Sequence, residues 1–125
     1  MSRPTTKTAP KRLRYSATWR RCVRGEVYRL NTPRGTRGDE QSGTRYAVVV
    51  QSGSLPLSTW LVAPTSTSAR RATFRPEVEV AGCPTLVLAE QAAAVDPTRL
   101  GECAGLLTRE ELHRVDAALR LVLEL

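Results

Sequence analysis

The 125 residues contain a single histidine, His113, so acid–base chemistry that needs two imidazoles cannot be assembled within one copy of the chain. His113 stands among charged neighbours and reads as a surface position. Adjacent acids occur only as Asp39-Glu40 and Glu110-Glu111, and the second pair fits a helix start. A clustered-carboxylate site for two divalent ions is therefore not indicated. Cys22, Cys83 and Cys103 are far apart, with no C-x-x-C or mixed Cys/His spacing. They read as reduced thiols in or near the core, with neither zinc nor a disulfide scaffold expected. Phosphate-cradling G-x-x-x-x-G-K-[ST] and nucleophile-elbow G-x-S-x-G patterns are both missing.

Two stretches survive this elimination. Gly38-Asp39-Glu40-Gln41-Ser42-Gly43-Thr44-Arg45 is a polar, Gly-rich segment that ends in an arginine at the start of an apolar run. Pro64-Thr65-Ser66-Thr67-Ser68 places four hydroxyls in a row after another apolar run. Taken alone, the first is more commonly a solvated loop, and the second reads as a loop or cap.

The elements that must position these residues can be read from periodicity. Val27, Tyr28 and Leu30 sit in a run with strand propensity, and Tyr46–Gln51 contains the buried-strand run Ala-Val-Val-Val. Ser58–Ala63, the alternating Phe74–Val80 and the apolar Thr85–Leu88 are further strand candidates. Asp96-Pro97-Thr98-Arg99 predicts one helical turn, with Asp as cap and Pro at the first position. Thr108-Arg109-Glu110-Glu111 is a capping box, and Leu107 and Leu112 are spaced as a hydrophobic staple. Leu112, Val115, Leu119 and Val122 then recur on one helical face. Short strands followed by one closing helix predict a mainly β fold with some α, a small, strongly curved β-barrel capped by that helix.

Composition sets the frame. Apolar residues make up 41% and charged residues 25%, as in an ordinary soluble domain, and the length suits one modest core. No apolar run reaches the roughly 18–20 residues of a membrane span, and no secretory signal pattern follows the basic start. No membrane association and a cytoplasmic location are the expectation. Residues 1–24 hold eight Lys and Arg and no acid, so of the formal net charge of +7 the rest carries −1. Residues 1–22 have little to bury and read as a basic, disordered extension that either is solvated or adds phosphate contacts. Residues 23–125 form the folded unit.

At this point the motifs resemble the MazF/PemK family of toxin endoribonucleases. Arg24-Gly25-Glu26-Val27-Tyr28 is similar to the family's R-G-[DE]-[IV]-[WY] start, and Gly38–Arg45 to its G-S-E-Q-x-G-x-R-P. Val62-Ala63-Pro64-Thr65-Ser66 resembles V-x-P-[IV]-T. Glu90-Gln91, Val95-Asp96 and Arg99-Leu100 match E-Q-I-R-T-[IV]-D-x-x-R-L, and the segment from Gly105 to Leu125 resembles the closing G-x-[LV]-[ST]-x-x-E-[LM] helix. The resemblance covers residues 23–125 in the correct order and spacing. It implies an SH3-like barrel with a C-terminal helix, a homodimer, and a cognate antitoxin whose acidic disordered C-terminal segment binds it. It also implies cleavage of single-stranded RNA without metal or cofactor, by attack of the RNA's own 2′-hydroxyl on the adjacent phosphorus.

Within that resemblance Arg45 matches the catalytic arginine, whose fixed fork of donors suits phosphoryl oxygens. Arginine holds its proton at neutral pH, so charge stabilisation is its expected role. The catalytic threonine falls on Ser66, which keeps the hydroxyl but loses the methyl that stiffens the rotamer. Glu40 matches a carboxylate given the base role, and Gln91 a glutamine that faces RNA and can bond a base edge. Thr65, Thr67, Tyr46, Arg34 and Arg37 are further expected RNA contacts. Tyr46 stands where the family has proline, which frees a backbone N–H and adds a ring able to stack. Ala92-Ala93 replaces Ile-Arg, removing one basic contact. Two alternatives stand beside this reading. One is a same-fold toxin that poisons DNA gyrase by binding, a group lacking the Arg45/Ser66 pairing; the other is an RNA-binding module without catalysis.

Overall fold

The computed structural model describes residues 21–31 and 45–125. Seven strands are present among them: β1 (Glu26–Leu30), β2 (Tyr46–Val49), β3 (Trp60–Ser66), β4 (Glu77–Val80), β5 (Cys83–Val87), β6 (Ala93–Val95) and β7 (Leu100–Leu106). One helix, α1 (Arg109–Leu123), ends the chain. Every pairing is antiparallel, in the order β4-β5-β3-β2-β1-β7, with β6 also paired to β3. β3 is the hub. Its first half pairs β6 (Leu61 opposite Ala94), and its second half pairs β5 (Thr65 opposite Val87).

The central strands are apolar on both faces, so the curled sheet has a core on each side. Tyr28, Ala47, Val49, Trp60, Val62, Leu100 and Cys103 form one cluster, with Tyr28 and Trp60 edge-on at 5.7 Å. Val27, Val48, Ala63, Val78, Val87, Leu107 and Val115 form the other, which α1 covers. The capping box that begins α1 is complete: Glu111 N–H donates to Thr108 Oγ1 at 3.1 Å, and Thr108 N–H donates to Glu111 Oε1 at 2.9 Å. The second carboxylate oxygen of Glu111 accepts the Glu79 N–H of β4 at 2.9 Å. Across the helix, Asp116 pairs with Arg24 at 2.7 Å, and Arg24 Nε donates to the Val50 carbonyl. The helix is thus bonded both to β4, at one end of the strand order, and to the entry of β1, next to the other end. It closes the curl, as the sequence predicts.

The expected helical turn after Asp96 is a 3-10 turn at Pro97–Arg99, with Asp96 Oδ1 accepting the Thr98 N–H at 2.9 Å. His113 is exposed. Three features depart from the sequence reading. Cys22, the last residue of the expected basic extension, is 3% exposed and belongs to the core, in departure from that boundary but in agreement with its reading as a core thiol. Its carbonyl lies so close to Gly53 that a Cβ there would approach it to 2.6 Å, which only glycine avoids. β7, which includes the Gly105 read as opening the closing helix, is a bulged strand against β1. Glycines at 101 and 105 break its alternation, so periodicity does not reveal it. β6, too short for a periodic signal, was likewise missing from the expectation. Among the described residues no helix is long and apolar enough to cross a membrane.

Candidate active site

β2 and β3 pair with Ala47 opposite Pro64. Continuing that register by two residues sets Arg45 opposite Ser66, and opposed residues of an antiparallel pair share a face. Arg45 is fixed at its backbone, where its carbonyl accepts the Leu30 N–H at 2.9 Å. Its guanidinium donates from Nε and Nη2 to the Thr65 carbonyl, at 3.3 and 3.2 Å. That carbonyl belongs to the peptide joining Thr65 to Ser66. The fork is therefore parked beside the Ser66 backbone, and its remaining N–H groups take no hydrogen bond to a described residue. Two of the sequence-predicted catalytic residues are brought together.

Thr65, the intervening residue, faces the opposite way and is 1% exposed. Its hydroxyl accepts from Tyr46 N–H and donates to Tyr46 O, both at 3.3 Å. Its side chain stitches β2 to β3. Ser66 is half-buried at the end of β3, with Oγ accepting the Ser68 N–H at 3.2 Å and lying 3.5 Å from Ser68 Oγ. That turn orients the hydroxyl in place of the methyl a threonine would carry. Thr67 follows, exposed.

Gln91 is exposed at the end of a 3-10 turn, Ala89–Gln91, anchored where Leu88 N–H donates to the Pro64 carbonyl at 2.8 Å. Its neighbour Glu90 receives Arg75 Nη2 and Nε on Oε2, at 2.6 and 3.0 Å. Hydrogen bonding from Arg75 holds the Glu90 carboxyl below its usual range against an opposing effect of burial. The Gln91 amide adds a smaller effect, although Glu90 Oε1 itself accepts no hydrogen bond. Arg75 also donates from Nη1 to the Arg70 carbonyl at 3.0 Å and lies over the Phe74 ring. Neither Arg75 nor Glu90 was singled out from sequence as a site residue. Nothing local links an arginine to a glutamate fifteen positions later.

A sequence model of the PemK-like, MazF-like toxins of type II toxin–antitoxin systems matches residues 23–123. Rv3098A, a toxin candidate of Mycobacterium tuberculosis, is 43% identical over 97 residues, spanning 77% of this chain and 92% of that protein.

The chain belongs to the PemK-like, MazF-like toxins.

Solved structures share the fold at lower identity. An endoribonuclease in complex with its cognate antitoxin, from a mycobacterial species, has a TM-score of 0.68 at 19% identity over 83% of this chain and 96% of that one. MazF from Deinococcus radiodurans gives 0.66 at 22% identity over 84% and 98%. The M. tuberculosis toxin MazF-mt6 gives 0.64 at 16% over 80% and 97%.

Against the MazF/PemK pattern, the tyrosine that replaces proline after Arg45 is accounted for. Its N–H donates to Thr65 Oγ1, and its half-buried ring packs on the helix-side core. Ala92 packs against the same cluster and Ala93 is exposed on β6. Glu40, Arg34 and Arg37 lie outside the described residues. Among the described residues no three or more His, Cys, Asp and Glu side chains gather as a ligand group.

Proposed function

We propose that this toxin cleaves single-stranded RNA, and that Arg45 and Ser66 carry the chemistry. The observation behind this reading is the register that sets Arg45 opposite Ser66, with a guanidinium held beside the Ser66 backbone. In the proposed step the 2′-hydroxyl oxygen bonds to the adjacent phosphorus as the bond from phosphorus to the 5′-oxygen breaks. The products are a 2′,3′-cyclic phosphate and a 5′-hydroxyl end. The 2′-proton leaves to a base, for which Glu40 is the candidate, and the 5′-oxygen takes up a proton from water. Arg45 supplies fixed donors to the non-bridging oxygens as their charge grows, and Ser66 donates a neutral hydrogen bond beside it. No step calls for a metal ion.

In this reading Gln91, exposed on its anchored turn, bonds a base edge, and exposed Thr67 adds a hydroxyl next to Ser66. The cognate antitoxin is proposed to present an acidic disordered segment that competes with RNA for the surface around Arg45, on a toxin homodimer. The test is incubation of the purified protein with an unstructured RNA in EDTA, with product ends identified by mass. Cyclic-phosphate and 5′-hydroxyl ends are expected. Binding without cutting would favour the RNA-binding module, and the absence of both would favour a toxin that acts on a protein target.

A further inference from the structure

Arg75 hydrogen-bonds neither Arg45 nor Ser66, yet it holds the segment that follows Ser66. The loop that leaves β3 begins at Ser66, returns to β4 after residue 76, and is held at both ends. At its start, Ser68 N–H donates to Ser66 Oγ at 3.2 Å. Near its end, Arg75 reaches out of the loop to Glu90 while a third donor, Nη1, holds the Arg70 carbonyl at 3.0 Å. One guanidinium therefore fixes the loop's own shape and ties it to the turn that carries Gln91. The pair is sheltered, with side chains 22% and 25% exposed, so solvent screens it less than an ordinary surface pair. It also pairs the carboxylate that precedes Gln91 in the chain, where an unpaired negative charge would repel an approaching phosphodiester.

We propose that Arg75, through Glu90, is a positioning residue that sets the place of Gln91 relative to Ser66 and thereby the base selectivity of cleavage. The inference rests on the reading of this protein as a ribonuclease. Gln91 is the group that meets the base; Arg75 acts only through the turn. Losing Arg75 frees the turn and unmasks the Glu90 charge, so substrate binding and choice of base suffer while the reacting groups stay in place.

The test uses the full chain and a pool of random-sequence single-stranded RNA, with cleaved ends sequenced and kcat and KM measured on one preferred oligonucleotide. Arg75→Ala is expected to raise KM fivefold or more, change kcat less than twofold, and flatten the base preference. Gln91→Ala should flatten the same position, and the double variant should be no worse than either single one. Arg75→Lys, which keeps the charge but not the three-way fork, should recover part of the KM. Glu90→Gln keeps the shape, so it carries the test if Arg75→Ala does not fold; it should flatten the same base position. Unaltered base preference in folded Arg75→Ala, or losses that multiply in the double variant, would overturn the proposal. If the unmodified chain cuts no RNA, both this inference and the ribonuclease reading fall. If it cuts and Arg75→Ala matches it, only this inference does.

Discussion

The guanidinium of Arg45 donates two hydrogen bonds to the main-chain carbonyl of Thr65, so the charged group is positioned by the strand that carries Ser66. A carbonyl is a weaker partner than a carboxylate, and a phosphoryl oxygen can draw the fork away from it at small cost. The residue is oriented in advance, and no carboxylate among the described residues pairs with it.

It follows that Arg45→Ala should remove most cleavage while weakening RNA binding only modestly. A lost donor of this kind costs on the order of 3–4 kcal/mol of transition-state stabilisation, a fall of roughly a hundredfold or more. Arg45→Lys should not restore the rate fully, because a point charge cannot replace two prongs. Ser66→Ala should slow the reaction less, and Ser66→Thr should keep it. Single-turnover cleavage in EDTA measures all four. Wild-type rates in Arg45→Ala would remove this active-site assignment.

Thr65 gives a contrasting case in the next position. Thr65→Val keeps the shape but leaves the Tyr46 N–H and carbonyl without their buried hydroxyl partner. The expected cost is about 1–3 kcal/mol, seen as a lower urea midpoint. Affinity for RNA, measured with cleavage blocked by Arg45→Ala in both proteins, should stay unchanged because the hydroxyl is buried between the strands.

Glu111 joins two elements with one side chain. Thr108→Ala removes a helix cap and should cost about 1 kcal/mol. Glu111→Ala removes the reciprocal bond and also leaves the Glu79 N–H without its acceptor, so its cost should be larger, about 2 kcal/mol or more. Urea unfolding of the two variants side by side checks the order, and equal losses would mean the bond to β4 contributes nothing.

Arg75 holds the Glu90 carboxyl below the ordinary glutamate value of 4.5 in the folded protein. A depressed folded value means that the pair's stabilisation is present in full above that ordinary value. It is lost as pH falls through the folded value, where the native carboxylate finally protonates. The gap in stability between the wild type and Glu90→Gln should therefore be largest near neutrality and close at strongly acid pH. Denaturant titrations from pH 7 down to pH 3 follow it. A gap that widens on acidification would contradict the pairing.

The N-terminal segment separates into two parts under truncation. Removal of residues 1–20 should leave the thermal midpoint almost unchanged and, where phosphate contacts are lost, flatten the log–log salt dependence of RNA affinity by about 0.7 per contact. Removal through Cys22 should lower the midpoint, because that residue is 3% exposed in the core beside Gly53. An unchanged salt slope in the shorter truncation would make the segment a bystander.

The sequence by itself determined what depends on neighbours a few positions apart. The Thr108/Glu111 box and the Asp96 cap are i to i+3 and i to i+2 contacts, so side-chain chemistry at fixed spacing specifies them before any fold exists. The exclusion of a two-histidine mechanism needed only a count, and the ordered motifs sufficed for the resemblance to MazF and PemK toxins. Tertiary structure decided everything that hangs on register. Thr65 and Ser66 are adjacent hydroxyls with equal claim in the sequence, and only the pairing of β2 with β3 turns one into the interior and leaves the other opposite Arg45. The same holds for β7, whose glycines hide a strand that pairing with β1 stabilises, and for Cys22, drawn into the core by a close approach to Gly53. Arg75 and Glu90 meet because β4 and β5 fold back beside β3, and no local spacing encodes that distance.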